Sequence, residues 1–392
     1  MPRRICVSTG KRGGFGALIP VMRLLNGSPD FELRVVVTDM HLNQTFGYTA
    51  EEVQKYVAIS EYVPLEQAGD RPADRVQALG RCMSGMAEAL TKIKPDIVLL
   101  LGDRSETLVT AMASIELGIP VAHIQAGDVS GGLDDLHRHA ITKLSHLHFS
   151  QTPKQAERVI ALGEEPWRVH VTGAPYVDRI VAEEYPAREE VAQKLGLDLN
   201  LRTAILLMHP DTYRQHLSLE MMRAALDEVY TLGNEWQTVV CYPCSDPGYQ
   251  GIIQAIEEMR KAPRIKCFKN VESADFLGLM AMSELMIGNS SSAVIEAPYF
   301  NLPAVNIGDR QRNRERAANM IDSGIRREEI RAALKKAVSP EFRKLVEASP
   351  KPFGDGTASK KIVEVLRQAP LGPALFEKKP LYAEKTMEEA VR

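Results

Sequence analysis

Short, continuously apolar runs alternate with segments of helical period along almost the whole chain. Runs such as IVLLL (residues 97–101) and TAILLM (203–208) have no polar alternation, as strands covered on both faces require. A first series of strands is predicted at 5–9, 33–38, 97–101, 121–125, 147–150 and 169–171, with helices at 18–26, 74–93, 106–117, 134–145 and 153–162. A second series places strands at 204–208, 238–242, 265–268, 285–287 and 304–306, and helices at 217–232, 249–259, 273–282, 293–300, 327–338 and 359–367. Alternation of this kind predicts an α/β architecture of parallel sheets joined by right-handed crossovers. The polar stretch 182–201, with its EEYPAREE charge cluster, divides the two series and reads as the connection between two domains. Two doubly wound domains facing each other would open a cleft at the carboxyl ends of both strand sets.

Composition narrows the classes further. The 392 residues are 44% hydrophobic and 25% charged, which excludes wholesale disorder. A net charge of −3 supplies no global cationic field for nucleic acid or an anionic membrane surface. No apolar run approaches the length of a membrane span. Cys6, Cys82, Cys241, Cys244 and Cys267 form an odd, sparse set unlike a secreted disulfide framework. The amino-terminal apolar run is too short for a signal peptide, so a cytoplasmic location is expected. The last residues, 371–392, rich in Pro, Lys and Glu, read as a loosely ordered tail or an oligomer contact.

Candidate chemistry gathers where strands end. The first strand runs into Thr9-Gly10-Lys11-Arg12-Gly13-Gly14-Phe15-Gly16, either a tight turn with left-handed glycines or a phosphate seat. Gly102-Asp103-Arg104-Ser105 follows IVLLL and sets an acid beside a base. His123-Ile124-Gln125-Ala126-Gly127-Asp128 and the following Asp134 and Asp135 crowd polar groups onto one loop. His137, His139, His146 and His148 form two H-x-H pairs without the spacing of a metal helix, and Cys241-Tyr242-Pro243-Cys244 has no partner motif, so no metal and no cofactor are expected. In the second series, Pro210 keeps His209 in extended backbone. Gly288-Asn289-Ser290-Ser291-Ser292 precedes Glu296: hydroxyls and N–H groups suited to a diphosphate, then a carboxylate suited to a ribose.

Together these segments resemble the UDP-N-acetylglucosamine 2-epimerase family, and specifically its hydrolysing branch from sialic-acid and legionaminic-acid type pathways. The most specific stretches are DMHLNQTFGYT, LLGDRSET, the helix DDLHRHAITKLSHLHF and GNSSSAVIEAPYFNLPAVNIGDRQRNRE. The resemblance covers nearly the whole chain to about residue 368 and implies a GT-B fold, two Rossmann-like domains facing across a cleft. Residues 1–180 plus about 356–370 would form the sugar-side domain with its returning helix, and 181–355 the nucleotide-binding domain. By position, the resemblance implies catalytic roles for Asp103 and Asp134 and a cleft role for His209. It implies phosphate or nucleotide contacts at Arg12, Arg104, Ser290, Ser291 and Arg310, a ribose contact at Glu296, and a role for the recurrent His41. UDP-sugar substrate, UDP product and a homodimer or homotetramer are further expectations.

The sequence departs from the family pattern where Gln125 replaces a frequent Glu, Gly14 an acid, Gly16 a small polar residue and Cys244 an Asn. A carboxamide cannot act as a base, so proton transfer passes to Asp128, Asp134 or Asp103, while Gln125 orients a water or the N-acetyl group. The implied reaction is UDP-N-acetylglucosamine + water → UDP + N-acetylmannosamine, through elimination of UDP to a 2-acetamidoglucal and rehydration. The same reaction on a UDP-2,4-diacetamido-2,4,6-trideoxy sugar is the main alternative, toward which Gly14, Gly16 and Cys244 lean. A non-hydrolysing epimerase, a GT-B glycosyltransferase and an inactive UDP-sugar-binding protein are the other rivals.

Overall fold

The protein is described by a computed structural model covering residues 1–379 and Leu381. Seven strands, β1 (Arg3–Thr9), β2 (Phe31–Thr38), β3 (Glu61–Val63), β4 (Ile97–Leu101), β5 (Val121–Ile124), β6 (Leu147–Ser150) and β7 (Val169–Val171), form one sheet. Its order is β3-β2-β1-β4-β5-β6-β7, and each pairing is parallel. Six more, β8 (Arg202–Leu207), β9 (Trp236–Cys241), β10 (Ile265–Phe268), β11 (Leu285–Gly288), β12 (Ala304–Ile307) and β13 (Met320–Ser323), form a second. That sheet, ordered β10-β9-β8-β11-β12-β13, is parallel as well. Two doubly wound parallel sheets are thus the observed architecture.

Register explains the unbroken apolar runs. Val7 lies between Val35 and Leu99, and all three turn into a core beneath the helix Arg12–Asn26. Their neighbours Cys6, Val36, Val98 and Leu100 turn the other way, under the helix Pro72–Ile93. Both faces are buried, so neither parity can be polar. The second sheet is covered on both faces in the same way.

Both sheets reverse their order beside their first strand, between β1 and β4 and between β8 and β11. Loops leaving the carboxyl ends diverge at such a switch point and leave a crevice there. The helix Ala358–Gln368 returns to the first sheet, burying Ile362, Val363 and Leu366 in the core of the helix Arg12–Asn26. Asp178 caps it, accepting the Ala358 and Ser359 N–H groups at 3.1 and 2.7 Å.

Several local expectations change. The helix after β1 begins at Arg12, not Leu18, and Gly10, Gly13, Gly14 and Gly16 all lie outside the left-handed region. The glycine-rich stretch is therefore helix, and close approach is the reason for Gly16: a Cβ there would lie 2.4 Å from Ser273 Oγ. The connection 182–201 contains the helix Arg188–Leu195. β3 and β13 had no periodic signal, being three and four residues of mixed polarity. The start of the tail is neither loose nor free: Leu375 is fully buried in the first core, and Lys378 pairs with Glu164 at 2.6 Å. Residue 380 and residues 382–392, the rest of that tail, lie outside the described residues.

Candidate functional site

Strand ends from both sheets face one another across a cleft with two connected chambers. The larger, about 920 Å³, is lined by Arg12, His209, Cys244, Ser290, Ser291 and Glu296 among others. The smaller, about 530 Å³, is lined by Asp103, Arg104, Gln125, Arg310 and Arg314 with Gly14, Leu18 and Leu101. Lys11, Tyr176 and Ser291 border both.

In the larger chamber β11 ends at Gly288, where φ is +125° and a Cβ would lie 2.1 Å from Leu207 O, so no side chain is admitted. The chain turns there and presents Ser290–Ser292 to the cavity. Glu296 lies one turn further, and burial pushes its carboxyl up to about 7. His209 leaves the neighbouring β8. Its backbone N–H donates to Asn289 Oδ1 at 2.7 Å, and Asn289 Nδ2 donates back to His209 O at 2.9 Å. Its Nδ1 accepts the Cys244 N–H at 3.1 Å, which leaves the proton of the neutral ring on Nε2. The ring is neutral because burial, then Arg310 and Lys11, drive its pKa well down. His209 is thus a fixed N–H donor. The Cys244 thiol donates to Asp246 at 2.8 Å, and burial raises it to about 11. All five cysteines are free. Arg12 donates to the backbone carbonyls of Tyr242, Pro243 and Lys269, tying the first helix of one half to loops of the other.

The smaller chamber holds carboxylates matched by arginines. Asp103 pairs with Arg138, which also holds Asp135 at 2.8 Å. Burial acts to raise the Asp103 carboxyl, but Arg138, Lys11, Arg314 and Arg310 outweigh it and hold it well below the usual carboxylate range. Asp134 lies against the chamber-lining Arg310 at 2.9 Å, yet burial, aided by Asp103 and Asp246, pushes its carboxyl up. Asp128 pairs with Arg314 at 2.8 Å and accepts from Gln125 Nε2 at 3.0 Å. Arg104 is gripped by Asp246 and Ser245 of the second half and by Glu106 and Asp39 of its own.

His41 is not brought to the cleft. It is fully buried between Thr9 and Thr49, at 3.0 and 2.7 Å, against the edge of Phe15. Burial lowers it to about 4. Among the described residues no group of His, Cys, Asp and Glu has the geometry of a metal site, and no helix is long and apolar enough to cross a membrane.

Sequence reasoning missed Arg138, Arg314, Asp246, Tyr176 and Lys11. Arg138 and Arg314 stand inside quoted motifs as one basic residue among several, and only packing shows which carboxylate each meets. Asp246 carries no signal beyond its nearness to Cys244.

The profile of one family, described as UDP-N-acetylglucosamine 2-epimerase, matches residues 23–367. The UDP-N,N'-diacetylbacillosamine 2-epimerase (hydrolyzing) of Legionella pneumophila is 34% identical over 96% of this chain and 99% of its own. The UDP-N-acetylglucosamine 2-epimerase of Neisseria meningitidis serogroup B is 32% identical over 86% of this chain and 88% of its own. In structure, the UDP-GlcNAc 2-epimerase from Neisseria meningitidis, crystallised with UDP-GlcNAc, superposes with a TM-score of 0.80 at 19% identity, covering 93% of this chain and all of the other.

Proposed function

The chain belongs to the UDP-N-acetylglucosamine 2-epimerase family, and from that premise we propose that it is a hydrolysing UDP-sugar 2-epimerase. The reaction proposed is UDP-N-acetylglucosamine + water → UDP + N-acetylmannosamine. One observation carries it: Asp103 lines the sugar chamber, Asp134 lies against its lining residue Arg310 at 2.9 Å, and the two carboxyls are pushed in opposite directions beside a cationic and hydroxyl-rich seat for a leaving diphosphate. Two acids whose surroundings separate them divide naturally into base and acid. The hydrolysing outcome is supported by the DDLHRHAITKLSHLHF helix and by likeness to the Legionella relative, itself named as a hydrolysing 2-epimerase.

The C2 proton of the sugar has no neighbouring carbonyl to acidify it. Departure of UDP places positive charge on C1 and makes that proton removable. Arg12, Arg104, Arg310, Ser290 and Ser291 stabilise the leaving diphosphate, and His209 donates from Nε2. Asp103, ionised, takes the C2 proton, giving the 2-acetamidoglucal. Water then adds at C1 while Asp134 delivers a proton to the opposite face of C2; the proton that water sheds restores Asp134, and the proton on Asp103 leaves with UDP. Gln125 orients rather than transfers. Residues 1–180 with 356–370 serve the sugar, and 181–355 the nucleotide. Glu296 takes the ribose, no cofactor enters the reaction, and the assembly is a homodimer or homotetramer in the cytoplasm.

A second reading has its own support. Gly14, Leu18 and Leu101 give the sugar chamber an apolar corner, suited to the 6-methyl group of a UDP-2,4-diacetamido-2,4,6-trideoxy sugar. Gly16 and Cys244 line the other chamber and bear less on that choice. Incubation with each nucleotide sugar, followed by NMR for free UDP and the released sugar, tests both. UDP plus the C2-inverted sugar is expected; UDP-N-acetylmannosamine without free UDP would assign a non-hydrolysing enzyme instead.

A further inference from the structure

Gln125 follows β5 with φ of +72°, backbone that a residue with a Cβ adopts at a cost and keeps only where its surroundings enforce it. The Gln125 N–H donates to Phe149 O at 2.9 Å, and its side chain heads a series of polar contacts. Gln125 Nε2 donates to Asp128 Oδ2 at 3.0 Å, Asp128 Oδ1 accepts the Val129 N–H at 2.8 Å, and Arg314 Nη1 lies 2.8 Å from Asp128 Oδ2. Asp128 is 2% exposed and Arg314 7%. Arg314 follows β12 and so belongs to the opposite half of the molecule. Arg138, held by Asp103 and Asp135, supplies further positive charge near Asp128.

A carboxylate only accepts hydrogen bonds. Asp128 therefore dictates which end of the Gln125 carboxamide turns toward it: the NH2 group is taken, and Oε1 is left for the sugar chamber that Gln125 and Arg314 both line. We propose that Arg314 is a positioning residue, which by fixing Asp128 presents Gln125 Oε1 as an acceptor to the reacting sugar. The donor it meets is the 2-acetamido N–H or the water that adds at C1. The proposal rests on the hydrolysing reading above. It also accounts for Gln at this position: a Glu would set two carboxylates about 3 Å apart and force them to share a proton.

The test uses the full-length enzyme and Arg314→Gln, Arg314→Lys and Asp128→Asn. Misplacement of a group at the reacting centre costs about 10- to 100-fold in rate; Arg314→Gln is expected to lower formation of the C2-inverted sugar by that factor while UDP affinity holds, and Arg314→Lys to recover part of it. A rise in KM identifies the acetamido N–H as the donor, and release of free 2-acetamidoglucal identifies the water. Unchanged kcat and KM in Arg314→Gln overturn the proposal; so does a loss of UDP affinity equal to the loss of rate, which makes Arg314 a diphosphate contact. If wild type releases no UDP from any UDP-2-acetamido sugar, the hydrolysing reading fails and the proposal is judged by the Gln125 side-chain amide NMR signal with UDP bound. A signal protected in wild type and lost in Arg314→Gln supports it, and one identical in both overturns it.

Discussion

Arg310 Nη2 lies 2.9 Å from Asp134 Oδ2, and the two come from opposite halves of the molecule. The guanidinium also donates to Asn289 O at 3.3 Å, which anchors it in the loop that carries the diphosphate seat. A proposed acid on the sugar side is thus tied directly to the nucleotide side. Asp134→Asn keeps the shape, removes the transferable proton and is expected to reduce turnover by about 10²- to 10⁴-fold, the usual contribution of a general acid or base. UDP binding should persist, because Arg310 keeps its bond to Asn289 O. Calorimetry with UDP and a UDP-release assay check both halves; turnover like wild type would remove Asp134 from the mechanism.

Glu296 gives a pH dependence with a definite sign. Burial raises its carboxyl to about 7, with Ser292, Arg179 and Lys11 opposing, so the free enzyme is protonated there below that pH. The folded state then holds a proton the unfolded chain releases near pH 4.5, so stability declines as pH climbs from there to about 7. A ribose is held through two hydroxyl donors, which need the carboxylate. UDP affinity should therefore strengthen as pH rises through about 7. In Glu296→Gln only the ligand's own phosphate ionisation remains, and the enzyme's contribution to the slope should vanish. Parallel slopes for the two proteins would place Glu296 outside the ribose site.

Much of this was legible in the sequence for physical reasons. Strands buried on both faces leave unbroken apolar runs, so IVLLL and TAILLM gave away the sheets, and ligand chemistry follows their carboxyl ends, where Asp103, Gln125, His209 and Ser290 were found. The helix start at Arg12 stayed hidden because glycines at 13, 14 and 16 look like a turn; the reason for Gly16 is contact with the other half, which no local pattern records. The same holds for Arg138 and Arg314. A basic residue reads as solvated until the fold shows a buried aspartate facing it. His41 shows the reverse error, since a recurrent histidine beside the cleft proves to brace two threonines behind it.

Arg168 governs the carboxyl-terminal segment. Its side chain, 1% exposed, donates to His146 O, Leu375 O and Glu377 O at 3.2, 2.8 and 2.6 Å and to Glu165 at 2.7 Å. Hydrogen bonds from a charged donor contribute about 1.5–3 kcal/mol each when their partners would otherwise be stranded. Arg168→Ala should lower unfolding stability by about 3 kcal/mol and make the chain after residue 370 a protease target. Denaturant unfolding and limited proteolysis measure this, with UDP release at low temperature expected to survive. An unchanged cleavage pattern would mean that Leu375, fully buried, holds the segment by itself.

The close passage of Gly16 and Ser273 offers a test of how the halves meet. A Cβ on Gly16 would lie 2.4 Å from Ser273 Oγ, and that hydroxyl is not free to swing away, since it accepts from Arg179 Nη1 at 2.8 Å. The backbone N–H of Ser273 donates to Glu52 Oε1 at 2.6 Å across the same junction. Gly16→Ala should push the helix Ser273–Met282 off the helix Arg12–Asn26 and widen the nucleotide chamber, which both residues line. The expected outcome is a higher KM for the UDP-sugar with kcat and thermal midpoint little changed, because each half keeps its own core. Ser273→Ala in the same chain removes the oxygen that the new methyl meets and should return KM toward wild type. Equal KM values for Gly16→Ala and the double variant would show that the contact does not set the width of the cleft.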